Sequence, residues 1–249
     1  LPITKDNLVI TTSSQQGLDF LGRVFINEGD RIIVGLPSYL GGLQAFSMYG
    51  AELVGVKHDE FGMSAKSLDK TLANMQAKGE KPKFVYVIPD FQNPAGVTMP
   101  EARRKEIIAV AHKYEVLIVE DSPYRELRFE GKDQPTLYQL DENGTTITLG
   151  TFSKIFVPGF RIGWVIAHPD IVDKFVTVKQ AADLCTPAFV QRIAARYMEK
   201  GYFEKNLEKT IKIYGQKKEV MMNCFKKYMP EAQEQHPFFG QEKNYLTVG

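Results

Sequence analysis

The chain has 249 residues, 43% of them hydrophobic and 24% charged, which is the composition of an ordinary globular protein. Its 31 basic and 30 acidic residues give a formal charge of +1, so nothing favours nucleic acid or an anionic membrane as a partner. Its two cysteines lack metal-ligand spacing, no apolar run approaches the ~20 residues of a membrane span, and no signal peptide is visible. These features predict a metal-free protein of a reducing compartment, the cytoplasm.

The first half of the chain alternates β-like and helix-like segments. Strands are predicted at residues 8–12, 31–34, 52–56, 83–88 and 116–120, and residues 58–63 are predicted to form a loop. Helices are predicted at 15–26, after Tyr39 through residue 49, at 64–78 and at 100–114, and Ser13 and Ser14 are candidates to cap the first. Such alternation predicts an α/β fold with a mostly parallel sheet and helices on both faces.

The second half continues this pattern and ends in long helices. Strands are predicted at 147–149 and 165–167, followed by a helix from residue 169. From residue 187 a helical pattern runs to about residue 228 with a break near Gly201, and its lysine-rich stretch is interpreted as a solvated face. From residue 230 clear periodicity is lost.

Polar and aromatic residues follow the predicted strands at their carboxyl ends. In parallel α/β sheets, ligands bind beyond these ends, at one edge of the sheet. The residues concerned are Ser14, Tyr39, Asn93, Asp121 and Lys154.

Residues 148–164, TLGTFSKIFVPGFRIGW, bring two hydroxyls, a lysine and an arginine into one Gly/Pro-punctuated bend. The hydroxyls of Thr151 and Ser153 and the guanidinium of Arg161 suit a phosphate group. Lys154 is compatible with a further phosphate contact or with a Schiff base. An ordinary bend with a solvated lysine and a structural arginine is the simpler alternative.

Four other short motifs precede this segment: Ser14-Gln15-Gln16, Pro37-Ser38-Tyr39, Asn93-Pro94-Ala95-Gly96 and Asp121-Ser122-Pro123-Tyr124. Together, the five motifs resemble, in order, the class I and II aminotransferases that depend on pyridoxal 5'-phosphate (PLP). The wording FQNPAG and EDSPYREL is most similar to the branch with 2-aminoadipate, kynurenine and aromatic amino-acid aminotransferases. The resemblance implies a fold-type-I, PLP-binding large domain at residues 1–185, without its N-terminal arm. It implies an interdomain helix and the start of an incomplete small α+β domain at 186–249.

The resemblance also implies roles for individual residues. Lys154 would form the Schiff base with PLP and then carry protons, and Asp121 would pair with the pyridinium nitrogen. Asn93 and Tyr124 would contact the phenolic oxygen, and Tyr39 would stack on the ring. The catalytic set would be Lys154, Asp121 and Tyr124. The phosphate would be bound by the backbone of Ser14 and Gln15 and by the side chains of Thr151, Ser153 and Arg161. If the resemblance is set aside, Asp121 is also compatible with capping a turn and Tyr39 with a place in the core.

Two positions depart from the family's usual pattern. Thr151 replaces a serine and keeps the hydroxyl. Ser13 stands where glycine is common, so we expect the backbone there to avoid a conformation that only glycine tolerates.

The implied function is transfer of an amino group from an L-amino acid (aromatic, 2-aminoadipate-like or broad) to a 2-oxo acid by a ping-pong mechanism, in a homodimer. No residue matches the family's substrate-carboxylate arginine, and neither Arg192 nor Arg196 lies in the right context. Three alternatives remain: a PLP-dependent lyase such as a β-eliminating enzyme, a non-catalytic homologue, and the effector domain of a transcriptional regulator.

Overall fold

The computed structural model describes residues 3–229, which contain one eight-stranded sheet in the order β1-β8-β7-β6-β5-β2-β3-β4. The pairs β2–β3, β2–β5, β5–β6 and β6–β7 are parallel. Strand β8 is antiparallel to β1 and β7, and β4 is antiparallel to β3. The strands are β1 Leu8–Thr11, β2 Arg31–Leu36, β3 Glu52–Asp59, β4 Gly62–Met63, β5 Phe84–Val87, β6 Leu117–Asp121, β7 Thr146–Thr151 and β8 Gly163–Ile166.

Helices cover both faces of the sheet, as the sequence predicts. Helices α1, α2 and α6 bury their apolar residues in one core, and α3, α4 and α5 pack in a second core on the opposite face. The helices are α1 Ser13–Phe25, α2 Leu40–Ser47, α3 Ala65–Ala77, α4 Glu101–Lys113, α5 Leu137–Leu140, α6 Pro169–Ala182, α7 Ala188–Glu199 and α8 Tyr202–Tyr228.

The antiparallel strand β8 brings distant segments to the carboxyl edge of the sheet. Strands β1 and β7 run in the same direction, and both Thr11 and Thr151 pair with Gly163 at the start of β8. The segments just after β1 and β7 therefore meet the segment just before β8. This arrangement places the start of α1 beside residues 151–161.

The helical segment is interrupted between α7 and α8, near Gly201, as predicted. Gly201 lies there with φ of 65°, a left-handed conformation that glycine adopts readily. The segment from residue 230, where the sequence loses clear periodicity, is outside the described residues, so the predicted start of a small domain within 186–249 stays a prediction. Among the described helices, none is long and apolar enough to cross a membrane.

Two local predictions are wrong. Residues 58–63 are not a loop, because Gly62–Met63 pairs with His58 and Asp59 as a hairpin whose turn is held by Asp59 Oδ1 accepting from the Phe61 amide at 2.8 Å. Neither Ser13 nor Ser14 caps α1. The capping position is Thr12, whose side chain makes no capping hydrogen bond to the helix.

Candidate active site

Asp121 ends β6 as a buried carboxylate with one paired oxygen and one unpaired oxygen. Its Oδ2 accepts a hydrogen bond from the Tyr86 hydroxyl at 2.7 Å. Its Oδ1 is buried and has no hydrogen-bond partner within residues 3–229. Burial raises the pKa of Asp121 to about 6, against the opposing effect of the Tyr86 hydrogen bond, and Glu120 raises it further. A buried acceptor without a donor is costly, so Oδ1 is suited to an N–H group of a ligand.

Two further tyrosines, Tyr124 and Tyr39, lie within electrostatic reach of this carboxylate. Burial raises the pKa of Tyr124, the hydrogen bond that its hydroxyl accepts from Asn93 Nδ2 at 3.5 Å opposes this increase, and Asp121 and Tyr39 add to it. Burial also raises the pKa of Tyr39, with Asp121 adding to the increase and Arg161 opposing it. Tyr39 therefore lies within electrostatic reach of the acidic and the basic ends of the site.

Lys154 also lies near Tyr124. Its Nζ is 5.8 Å from the centroid of the Tyr124 ring. Among the described residues, this ammonium has no hydrogen-bond or ion-pair partner. A half-buried amine without a hydrogen-bond or ion-pair partner in the described residues is available for a ligand.

The loop that carries Lys154 is packed by aromatic rings from α7 and α8. Phe156 lies 4.7 Å from Tyr197, and Phe152 lies 6.0 Å from Phe203, measured between ring centroids. Phe152 also meets Trp164 at 5.1 Å. We call these five residues the aromatic cluster; it holds the loop on both sides of Lys154 through ring contacts.

Arg161 is the centre of a group of hydroxyls. Its Nη2 donates to Ser13 Oγ at 2.6 Å, and its Nη1 lies 3.4 Å from Ser153 Oγ. Thr151 Oγ1 donates to Ser153 Oγ at 2.9 Å. A guanidinium next to three hydroxyls offers the donors that bind a phosphate.

The expectation for Ser13 is wrong. Its φ is 65°, in the left-handed region that non-glycine residues rarely adopt. Three bonds hold it there: its amide donates to Arg161 O at 3.0 Å, its carbonyl accepts from Thr11 Oγ1 at 2.9 Å, and its hydroxyl accepts from Arg161. The contacts of Arg161 thus fix the backbone at the start of α1.

Ser14 and Gln15 lie in the first turn of α1, where backbone amides have no partner within the helix and attract anions. The backbone is tightly packed there, because a Cβ added to Gly163 would lie 2.6 Å from the Ser14 nitrogen. The Gln15 side chain points elsewhere, since its Nε2 donates to Gly41 O at 3.1 Å.

Sequence reasoning missed two residues of this region, Ser13 as an Arg161 partner and Tyr86 as the partner of Asp121. Tyr86 does carry a signal in the sequence. A tyrosine in an otherwise apolar, doubly buried strand must find a partner for its hydroxyl. No equivalent signal marks Ser13, whose partner is 148 residues away. In the part of the chain that the structure describes, no group of three or more His, Cys, Asp or Glu could hold a metal ion.

A family model described as aminotransferase class I and II matches residues 1–244. The chain belongs to this family. Among its aminotransferase relatives is "Aromatic-amino-acid aminotransferase 1" of Thermococcus litoralis, 47% identical over 93% of this chain. "2-aminoadipate transaminase" of Thermus thermophilus is 35% identical over 92% of the chain. The predicted family and fold class are confirmed.

A solved structure of an aminotransferase shows the same fold. It is a kynurenine aminotransferase of Pyrococcus horikoshii "in complex with PMP, KYN as substrates and KYA as products", with a TM-score of 0.89 and 45% identity over 92% of this chain. The chain spans 56% and 57% of the lengths of the two curated relatives and 57% of this structure.

Proposed function

We propose that the complete protein is a PLP-dependent aminotransferase that moves an amino group from an L-amino acid to a 2-oxo acid. The names of the relatives support donors that are aromatic, 2-aminoadipate-like or of broad range. One observation carries the proposal: Tyr124 is near both Asp121, whose Oδ1 is unpaired, and Lys154, whose Nζ has no hydrogen-bond or ion-pair partner among the described residues.

The residues present fit PLP. Asp121 Oδ1 can accept a hydrogen bond from the pyridinium nitrogen, and the donors Asn93 and Tyr124 suit the phenolic oxygen. Tyr39 supplies a ring for stacking. The phosphate would be held by Arg161 and the residues around it: Ser13, Thr151, Ser153 and the backbone of Ser14 and Gln15.

When bound, PLP supplies an electron sink for a carbanion at the substrate Cα. Lys154 would hold the cofactor covalently. Once released, its amine would act as a general base that takes the proton from the substrate Cα and then donates it to the cofactor. Asp121 would keep the ring nitrogen protonated. These assignments give the chain a nucleophile, a proton carrier and a fixed anion in one site.

Three further parts of the proposal concern assembly, the substrate carboxylate and cellular location. Homodimer formation and a substrate-carboxylate arginine elsewhere in the protein are implied by the family resemblance. Arg196 is an unsuitable candidate for that arginine, because it pairs with Glu199 at 3.1 Å on an exposed face of α7. A cytoplasmic location is supported by Cys185 and Cys224, which are both exposed and unpaired.

The test is to add PLP to the chain, reduce with borohydride and map the modified lysine by mass spectrometry. We expect the label on Lys154, and its loss in Lys154→Ala but not in Lys66→Ala, which changes an exposed lysine of α3. Label spread evenly over surface lysines would contradict the proposal.

A panel of amino donors then tests the reaction class. Aromatic amino acids, 2-aminoadipate and others are added in single turnovers, and the products are measured. Pyridoxamine phosphate with the matching 2-oxo acid supports amino transfer. Elimination products without pyridoxamine phosphate would instead indicate a lyase.

A further inference from the structure

Tyr86 lies directly behind the carboxylate that would meet the cofactor ring. It is fully buried in β5, beside β6, which ends at Asp121. Its ring meets the Phe46 ring at 5.4 Å, and a Cβ added to Gly42 would lie 3.0 Å from its hydroxyl. The ring is thus enclosed between the sheet and α2, and the hydroxyl reaches Asp121 Oδ2 at 2.7 Å.

The hydrogen bond has a defined direction. Burial and the adjacent Asp121 raise the pKa of Tyr86 well above its ordinary value, so the proton stays on the phenol. The phenol therefore donates and the carboxylate accepts. Because this bond uses Oδ2, it fixes the rotation of the carboxylate and leaves Oδ1 as the oxygen available to a ligand.

We propose that Tyr86 is a positioning residue: its hydroxyl keeps the Asp121 carboxylate ionised and turns Oδ1 towards the ring nitrogen of the cofactor. This inference rests on the proposed function. Without the hydroxyl, both oxygens of a buried carboxylate would lack donors, and such a group takes up a proton rather than stay charged. A neutral carboxyl is a poor partner for a pyridinium.

The decisive variant is Tyr86→Phe, which keeps the ring and its contact with Phe46. The dissociation constants of PLP and of 1-deaza-PLP, in which a C–H group replaces the ring nitrogen, are measured for both proteins. Loss of a hydrogen bond to a charged group predicts about 10- to 100-fold weaker PLP binding. Binding of the deaza analogue, which has no ring nitrogen to contact, should be unchanged.

Two more measurements separate positioning from a general effect on structure. In the variant, the ¹⁵N shift of labelled PLP should move from the pyridinium range towards the neutral pyridine range. Tyr138→Phe is the matched control, because it removes a buried tyrosine hydroxyl that has no partner among the described residues. This control should bind PLP as the unmodified protein does.

The outcomes are distinct. Equal PLP affinity in Tyr86→Phe and the unmodified protein, or equal weakening for both ligands, would overturn the positioning role. If Tyr86→Phe misfolds, the single variant Asp121→Asn is compared with the double variant Asp121→Asn/Tyr86→Met. Without the carboxylate, Tyr86 should have no further effect on the ratio of the dissociation constants of PLP and the deaza analogue. If Asp121→Asn still prefers PLP and the double variant loses this preference, the inference is refuted. If the unmodified chain forms no adduct at Lys154, the proposed function fails first.

Discussion

The buried carboxyl of Asp121 should destabilise the cofactor-free protein at neutral pH. Burial raises its pKa from an ordinary value of 3.8 to about 6, so the folded state binds this proton more tightly than the unfolded state. The stabilising effect of the proton is complete below about pH 4 and is lost as pH rises through about 6. At about 1.4 kcal/mol for each pKa unit, the loss is about 3 kcal/mol. Asp121→Asn keeps the shape and removes the charge, so it should raise the free energy of unfolding by roughly this amount at about pH 8.

The assay is urea unfolding of the cofactor-free protein at about pH 4 and about pH 8. Asp121→Asn and the unmodified protein should be similar at the lower pH and differ at the higher one. Asp173→Asn, on the exposed side of α6, controls for the change in net charge. If Asp121→Asn raised the free energy of unfolding by the same amount at both pH values, or did not raise it at about pH 8, the reasoning would be refuted. The same substitution should weaken PLP binding, so stability and cofactor affinity should change in opposite directions.

Three other predictions concern the phosphate end of the site. Both Ser13→Gly and Ser13→Ala lose the hydroxyl, but only glycine suits a φ of 65°. In urea unfolding, the glycine variant should therefore be about 1 kcal/mol more stable than the alanine variant. A more stable alanine variant would contradict this. Gly163→Ala would place a Cβ 2.6 Å from the Ser14 nitrogen, so about 1–3 kcal/mol of stability should be lost together with PLP affinity, and a variant that matches the unmodified protein in both would contradict the packing argument. Arg161→Gln should weaken PLP binding about 10- to 100-fold and leave binding of pyridoxal, which lacks the phosphate, unchanged; equal effects on both ligands would exclude a phosphate contact.

The sheet and its carboxyl edge were predictable because they depend on local patterns. Apolar runs separated by amphipathic helices specify a parallel sheet, and the strand ends then lie on one edge. Asp121 could be located at that edge from residues 116–121 alone. The cofactor roles proposed for Asp121 and Lys154 stay predictions, which the borohydride and stability experiments test.

The features that the sequence did not reveal depend on contacts between distant segments. Ser13 adopts its strained conformation because Arg161 holds both its amide and its hydroxyl. Tyr86 reaches Asp121 because β5 and β6 are aligned with Tyr86 opposite Val119. Neither the register of two strands nor the partner of a distant arginine follows from local periodicity.

The aromatic cluster makes the proposed nucleophile depend on helices that follow the sheet in the chain. Phe152 and Phe156 flank Lys154, but two of the rings that support them, Tyr197 and Phe203, belong to α7 and α8. A chain cut after residue 185, the predicted end of the large domain, would keep all eight described strands yet remove those two rings. The loop would then lose packing on one side, so any minimal protein meant to bind the cofactor should extend through α8.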